Sequence, residues 1–304
     1  MLDWLFLLRP TLFYPIWTYY LAGHWGGKTS GSGENGFEQA TGLWASVAAL
    51  SLVVGGVFIL NQVQDRETDR VNRKLFLLCD GIFPVGWAYA EAALVTLAGL
   101  ALGFWIDVRV GALLSGLFIL SGVGYNYAPF RWKDRAIMGL LTNATAGFLI
   151  YSLGWMTAGG HPMLPWRALA YMVAGGCVYL NTTLPDLKGD THANKRTFGV
   201  RYGVKATARW ALILEIITVG LAGYFRDWIL FIPALAVLPL FIWGATRSTV
   251  EEVMRATKYS VAALAVGVCV VFPLYLVPVF FVFFLTRWYY KARFDFDYPN
   301  FKTS

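Results

Sequence analysis

Apolar runs of the length that crosses a lipid bilayer recur along most of the chain, and this pattern constrains the fold more than any other. A helical span needs roughly 20 such residues, and inside hydrocarbon only helices and closed barrels satisfy every backbone polar group. We predict nine membrane-spanning helices, at residues 10–26, 42–62, 83–104, 109–128, 139–158, 166–184, 208–225, 228–246 and 260–286. The last contains Pro273 and Pro278, so we expect a kink there. The Gly- and Ser-rich stretch 27–40 is typical of a mobile loop.

The balance of residue types supports the same fold. Of the 304 residues, 57% are hydrophobic and 14% are charged, whereas a soluble domain has about 25% charged residues with which to cover its surface. The net charge of +7 does not indicate nucleic-acid binding, because the basic residues lie in short loops between the apolar runs. We therefore predict an all-α polytopic membrane bundle of about nine transmembrane helices, forming a single integral membrane domain over residues 1–304.

The loops alternate in charge. Those that follow spans two, four, six and eight carry most of the Lys and Arg residues, while the loops between them carry few. Because short cytoplasmic loops are enriched in Lys and Arg, the N-terminus and the basic loops are expected to face the cytoplasm, in a multi-pass protein of the cell inner membrane. Nine spans would then place the C-terminus outside, which conflicts with its own basic residues, Arg287, Lys291, Arg293 and Lys302.

Two clusters of acidic residues lie near the ends of spans on the same predicted side. Asn61, Asp65 and Asp69 follow one another at intervals of four, which places them on one face of a helix. Asp186 and Asp190 repeat the carboxylate spacing. Carboxylate and amide oxygens suit Mg²⁺, which typically takes one or two carboxylates and completes its shell with water and phosphate oxygens. The two clusters therefore predict a magnesium site.

Basic residues accompany both clusters, as expected where phosphate is bound. They are Arg70, Arg73, Lys74, Lys188, Lys195 and Arg196. A third segment, YNYAPFRWK at residues 125–133, ends span four on the same side and supplies Tyr125, Arg131 and Lys133. Any one of these charges alone is more typical of an ordinary membrane interface. Two clusters with matched spacing on one side favour a clamp that holds a metal-bound diphosphate.

A short repeat relates the two clusters. Leu60-Asn61 is followed by aspartates four and eight residues after the Asn, and Leu180-Asn181 is followed by aspartates five and nine residues after it. The two copies lie about four helices apart along the chain. This spacing suggests two related halves around a central cavity.

Taken together, the three segments resemble the UbiA superfamily of intramembrane prenyltransferases. The first family motif, Asn-Asp-x-x-Asp-x-x-x-Asp, reads here Asn61-Gln62-x-x-Asp65-x-x-x-Asp69. The second, Asp-x-x-Asp-x-x-x-Asp, reads Thr183-x-x-Asp186-x-x-x-Asp190 and is followed by Lys195, Thr197 and Gly203. The third segment matches at Tyr125, Pro129, Arg131 and Lys133, with Asn143 downstream.

The chain departs from the family pattern at three places. Gln62 replaces the second residue of the first motif, as in the branches that act on homogentisate, chlorophyll precursors and haem. Thr183 replaces an Asp of the second motif and removes one carboxylate. Arg73-Lys74-Leu75-Phe76 stands where the family usually has Arg-Pro-Leu. The second of these changes puts the number of bound metal ions in question.

The resemblance implies a reaction and assigns roles in it. An isoprenoid diphosphate donor would bind through Mg²⁺, an allylic carbocation would form, and a lipophilic or aromatic acceptor would attack it. The implied metal ligands are Asn61, Asp65, Asp69, Asp186 and Asp190, and the implied diphosphate-binding residues are Arg70, Arg131, Lys133 and Lys195. The catalytic set is expected to be Asp65, Asp69, Asp186, Asp190 and Tyr125, where Tyr125 stabilises the cation or orders the metal shell.

The likeness to the homogentisate and chlorophyll branches favours a cyclic aromatic acceptor, a precursor of a quinone-type or related lipid. Two alternatives stay open. A divalent-cation transporter would also place acidic residues in membrane helices, although the basic neighbours here would repel a free cation. An inactive or accessory scaffold could keep the fold while losing a carboxylate at Thr183. A CDP-alcohol phosphotransferase fits poorly, because Asp80-Gly81 lacks the Ala-Arg that follows in that family.

Overall fold

The computed structural model describes residues 2–30, 40–72, 76–160 and 165–299, and within these ranges the chain is helical with no β-strand. The helices are α1 (Leu2–Leu7), α2 (Phe13–Thr29), α3 (Ala40–Val71), α4 (Phe76–Cys79), α5 (Val85–Ile106), α6 (Val108–Leu117), α7 (Ala136–Thr157), α8 (Ala168–Thr182), α9 (Leu187–His192), α10 (Phe198–Tyr224), α11 (Trp228–Arg247), α12 (Val250–Val271) and α13 (Leu276–Phe294). A π-helix, Phe118–Gly124, continues α6. The predicted mobile loop 27–40 begins inside α2, and its residues 31–39 lie outside the described ranges.

Seven helices of the described chain are long and apolar enough to cross a membrane, and two shorter apolar helices accompany them. The seven are Gly42–Val71 within α3, α5, α7, α10, α11, α12 and the segment Pro273–Phe294. The shorter two are Val108–Gly124 and Ala168–Thr182. The prediction of an all-α, multi-pass membrane bundle is confirmed.

The last predicted span, 260–286, is wrong as a single kinked helix. The structure has two helices there, α12 and α13, separated by Phe272 and a 3₁₀ turn at Pro273–Tyr275. Phe272 leaves the helical conformation (φ −126°, ψ 74°), and proline lacks the N–H that would continue the α12 ladder. Pro278 lies in the first turn of α13, where no intrahelical N–H is needed.

This extra reversal also corrects the expected position of the C-terminus. The Tyr289 hydroxyl near the end of α13 donates a 2.6 Å hydrogen bond to Asp3 Oδ1 in α1, and Arg293 lies 3.4 Å from the same carboxylate. The C-terminal helix therefore ends beside the N-terminal one, and its basic residues join the other basic loops, as the distribution of positive charge requires.

Close packing between neighbouring helices depends on small residues at their contacts. A side chain at Gly23 of α2 would collide with the backbone carbonyl of Tyr151 in α7, and one at Gly154 of α7 would collide with that of Tyr20 in α2. Such reciprocal glycines let helix backbones approach closely inside a membrane. The α2–α7 pair forms one wall of the central cavity.

Candidate functional site

A cavity of about 500 Å³ lies inside the bundle, and most of the residues singled out in the sequence line it. These are Asn61, Asp65, Asp69, Tyr125, Lys133, Asp186, Asp190 and Lys195. They come from α3, from the segment after the π-helix, and from the region around α9. The fold therefore brings both acidic clusters and the third segment to one site.

Asp65 is the centre of the polar network in this cavity. Its Oδ1 accepts hydrogen bonds from Lys133 Nζ at 2.8 Å and from Lys195 Nζ at 2.7 Å. The three side chains are 16%, 4% and 9% exposed, respectively. Because charge-assisted bonds strengthen when water is excluded, this arrangement fixes two cations beside one carboxylate. The pair of lysines joins segments that lie far apart in the chain.

Three charged residues outside the membrane-spanning helices have shifted pKa values. Burial lowers the pKa of Lys133 below its usual value, although the Asp65 carboxylate opposes that shift. Burial also acts against the charge on Lys195, but Asp65 outweighs it, so the pKa of Lys195 is raised. Burial raises the pKa of Asp190, with Lys195 opposing. Lys195 is therefore the more firmly charged of the two lysines.

Asn61 is held in one orientation by two partners. Its Nδ2 donates to Asp65 Oδ2 at 2.9 Å and to Asn126 Oδ1 at 3.0 Å, so both amide hydrogens are used. Asn126 is fully buried and donates in turn to the carbonyls of Ser121 and Gly122 in the π-helix. Its role was missed in the sequence, although it lies inside the YNY segment that marked the site.

The second acidic cluster lies on a short helix and on the turn before it. Asp186 precedes the short helix α9, is partly exposed, and accepts a 3.4 Å contact from Asn72 Nδ2. Asn72 Oδ1 also accepts from the backbone N–H of Gly189 at 3.0 Å. Asp190 is buried, and its carboxylate lies 3.4 Å from Lys195 Nζ. Asn72 thus links the end of α3 to this cluster, a contact that no motif indicated.

Two residues that depart from the family motifs have structural contacts. Thr183 donates to the carbonyl of Leu180 at 2.7 Å and accepts from the N–H of Gly199 at 3.1 Å, which connects the end of α8 to the start of α10. Gln62 is 2% exposed and donates to the carbonyl of Leu7 at 2.7 Å, which anchors α1 to α3. Only Thr183 of the two borders the cavity.

Tyr125 lies in the cavity wall between the charged cluster and the apolar interior. Its phenol interacts with the side chains of Asn143 on α7 and Tyr179 on α8. Deeper in the cavity the lining becomes apolar, with residues such as Val57, Phe58, Leu117, Ala146 and Leu264. The cavity therefore combines a charged end with a hydrocarbon-like interior.

Two predicted diphosphate-binding residues do not reach this cavity. Arg131 has a left-handed backbone (φ 42°), is half-exposed, and pairs with Asp134 at 2.9 Å. Arg70 donates to the carbonyl of Cys79 and lies near the exposed Glu67. Arg73 and Lys74 lie outside the described residues. Lys133 and Lys195 are the predicted phosphate-binding cations that the structure brings together.

The fit of a magnesium ion rests on the types of oxygen that face the cavity. Among the described residues, no group of three or more His, Cys, Asp and Glu side chains lies close enough to hold a metal by itself. Mg²⁺ does not require such a group, because it commonly takes one or two carboxylates and fills its octahedron with water and phosphate oxygens. Asp65 and Asp69 on one side of the cavity, and Asp186 and Asp190 on the other, fit that requirement when a diphosphate is bound.

The chain is similar to known proteins over most of its length. Residues 16–256 match the model of the UbiA prenyltransferase family. The chain is 25% identical over 213 residues to a homogentisate phytyltransferase of Synechocystis sp., which covers 66% of each chain, just under two thirds of that relative. It is 25% identical over 263 residues to the bacteriochlorophyll synthase 34 kDa chain of Chloroflexus aurantiacus, over 83% of this chain and 76% of that one.

The fold is also similar to a solved structure, that of a UbiA homologue from Archaeoglobus fulgidus bound to GPP and Mg²⁺. The TM-score is 0.68 and the sequence identity is 20%, over 92% of this chain and 98% of the other. At this identity the likeness establishes the shared bundle architecture.

Proposed function

Because the chain belongs to the UbiA prenyltransferase family, we propose that it catalyses Mg²⁺-dependent transfer of a prenyl group from an isoprenoid diphosphate to a cyclic aromatic acceptor. The match confirms the resemblance drawn from the motifs. The observation that carries the proposal is the convergence of Lys133 and Lys195 on Asp65, in a cavity that both acidic clusters line. A carboxylate beside two buried ammonium groups offers a ligand for the metal and two donors for the diphosphate that the metal carries.

Different residues of the site would bind the metal and the diphosphate. Asn61, Asp65 and Asp69 from one side, and Asp186 and Asp190 from the other, would hold Mg²⁺, which supplies charge neutralisation for the departing diphosphate. Lys133 and Lys195 would donate to the phosphate oxygens. Phosphate oxygens would compete with Asp65 for the ammonium hydrogens of both lysines. When they replace Asp65 as the acceptors, the Asp65 carboxylate would be available to bind the metal.

The rest of the cavity suits the reacting carbon and the hydrocarbon tail. Tyr125 lines the cavity that contains the charged cluster, and its ring would stabilise an allylic cation. The apolar lining would hold the prenyl chain and exclude water, which would otherwise capture the cation. The acceptor carbon forms the new bond, diphosphate leaves with the bonding electrons, and the acceptor loses a proton.

The acceptor class and the location are the finer parts of the proposal. Homogentisate phytyltransferase and bacteriochlorophyll synthase are named among the relatives, which supports a cyclic acceptor on a path to a quinone-type or related lipid. The clustering of basic loops with both chain ends supports a site that faces the cytoplasm from the cell inner membrane. The buried lysines disfavour a path for free divalent cations.

Mass spectrometry of products tests the proposal. Purified protein with Mg²⁺ and labelled geranylgeranyl diphosphate would be offered 2-methylhydroquinone, homogentisate and a chlorophyllide. We expect one prenylated product, which disappears on chelation of Mg²⁺ and in Asp65→Ala. Glu67→Gln is the matched control, because Glu67 is an exposed acid on the same helix. Normal transfer by Asp65→Ala, or no prenylated product with any acceptor, would contradict the proposal.

A further inference from the structure

A carboxyl group lies deep in the same cavity, away from both acidic clusters. Glu215, in the middle of α10, is only 4% exposed, yet it lines the cavity. The thiol of Cys177 on α8, which also donates to the carbonyl of Ala211 at 3.1 Å, lies beside it. Cys177 is six residues before Thr183, about 9 Å along the helix. Glu215 is therefore well inside the bundle, below the charged end.

Glu215 is poorly satisfied by its protein surroundings. Within the described residues, the one side chain that interacts with it as a hydrogen-bonding partner is the Cys177 thiol, a weak donor, and no Lys or Arg forms an ion pair with it. A carboxyl group in a membrane interior is costly unless it is paired, and such residues usually face a cavity in which they serve a function. The free-energy cost of burying Glu215 in this way indicates a ligand that completes the hydrogen bonding of its carboxyl group.

Three further polar groups line the cavity with Glu215. Thr218 and Ser260 donate their hydroxyl hydrogens to the carbonyls of Leu214 and Thr257, both at 2.9 Å, which leaves oxygen lone pairs for another partner. Tyr19 on α2 interacts electrostatically with Glu215, and within the described residues its phenol makes no hydrogen bond. Tyr19 therefore has an unused hydroxyl donor, and Thr218 and Ser260 have unused acceptor lone pairs, for a ligand in the cavity.

We propose that Glu215 and Tyr19 form an acceptor subsite that binds a hydroxyl group of a neutral cyclic acceptor. This inference rests on the proposed prenyl transfer and names the chemistry of its second substrate. A ligand hydroxyl donates to the Glu215 carboxyl and accepts from the Tyr19 phenol, so it satisfies both groups. A prenyl tail can satisfy neither, because it has no polar atom. A ligand carboxylate at this position would be repelled, since no cation accompanies Glu215.

The test uses thermal stabilisation, which does not depend on turnover. Protein in detergent with Mg²⁺ and the unreactive donor analogue geranyl thiodiphosphate is titrated with 2-methylhydroquinone, or with its dimethyl ether. We expect Glu215→Leu to raise the apparent Kd of the diol by about tenfold or more, with smaller increases in Glu215→Gln and Tyr19→Phe. The ether should bind weakly and equally to all variants.

Glu91→Gln is the matched control, because Glu91 is a buried carboxyl on α5 that does not line the cavity. It should bind the diol as the natural protein does. Retained stabilisation by geranyl thiodiphosphate shows that each variant is folded. The proposed subsite would be overturned if folded Glu215→Leu bound the diol with unchanged affinity, or if the natural protein did not bind the diol. It would also be overturned if Glu215→Leu weakened binding of the donor analogue and left the affinity for the diol intact. Failure of the donor analogue to stabilise the natural protein would count against the proposed function itself.

Discussion

The two halves of the acidic site differ in the elements that carry their carboxylates. In the first half, Asp65 lies on the long helix α3 and is fixed by two lysines and by Asn61. In the second half, Asp186 is partly exposed and lies in the turn before a helix of six residues. A regular helix sets the spacing of its carboxylates, whereas a short helix after a turn leaves them adjustable. The first half is thus built as a fixed receptor, and the second can adapt to what is bound.

The largest expected effect separates these two halves directly. Asp65→Asn should lower kcat/KM for transfer by at least about a hundredfold, because it removes the charge that two buried lysines and the metal share. Asp186→Asn should lower it by only about tenfold, since Asp186 is partly exposed and lies in a turn, not on a long helix. Steady-state kinetics with saturating Mg²⁺ measure both values. Equal losses would remove the distinction between a fixed and an adaptable half.

Lys195 joins the halves, because its Nζ lies 2.7 Å from Asp65 and 3.4 Å from Asp190. Lys195→Ala should raise the KM of the donor diphosphate by about ten- to thirtyfold, because that is the loss of affinity expected when a buried charge-assisted hydrogen bond is removed. Arg131→Ala is the control, since Arg131 is half-exposed and pairs with Asp134 outside the cavity. It should change KM by less than about twofold. A larger effect for Arg131 would restore its sequence-based assignment.

Asn126 sharpens the description of the first half. Asn126→Ala removes the partner that fixes the Asn61 amide, so we expect the concentration of Mg²⁺ needed for half-maximal rate to rise by about five- to tenfold. Asn126→Asp keeps the acceptor oxygen that Asn61 uses but sets a buried carboxylate oxygen against the carbonyls of Ser121 and Gly122, so it should also lower the melting temperature. A titration of rate with Mg²⁺, together with the melting temperature, distinguishes lost orientation from lost stability. A fall in melting temperature without a change in the Mg²⁺ requirement would make Asn126 purely structural.

The smallest expected effect on activity concerns Thr183, where the family motif has an acid. Thr183→Asp should leave the transfer rate within about twofold and lower the free energy of unfolding by about 1–3 kcal/mol, because an ionised aspartate cannot donate to the Leu180 carbonyl. Thr183→Ser keeps the hydroxyl and should behave as the natural protein. Thermal unfolding and kinetics measure the two effects. A gain in activity in Thr183→Asp would mean that the second half lacks a ligand it could use.

Much of the fold follows from the length of its apolar runs, because membrane thickness fixes how long a spanning helix must be. The end of the chain does not follow in this way. A proline inside a long apolar run is compatible with a kink or with a break, and the choice at Pro273 depends on Phe272 and on contacts with α1. Apolar length alone could not separate the two outcomes.

Sequence spacing predicted which residues lie together where they share one helix, and the prediction was incomplete where contacts cross the bundle. The spacing of Asp65 and Asp69 was enough to place both in the cavity. Arg131 lies two residues from Lys133, yet its left-handed backbone turns it toward Asp134. Asn126 and Glu215 depend on partners that are distant in sequence. Glu215 is the one acidic residue in the predicted span 208–225, which is a local signal of function, but its partners and those of Asn126 could not be identified from local spacing.

The π-helix at Phe118–Gly124 gives the site a register that a regular α-helix of the same residues would not give. Its hydrogen bonds span five residues in place of four, so it holds one residue more than an α-helix of the same reach. If the same residues formed a regular α-helix, everything that follows would be rotated by about 100°. Tyr125 and Lys133 would then face a different part of the bundle, although no catalytic residue had been changed. The number of residues in this turn is thus as much a part of the site as their identity.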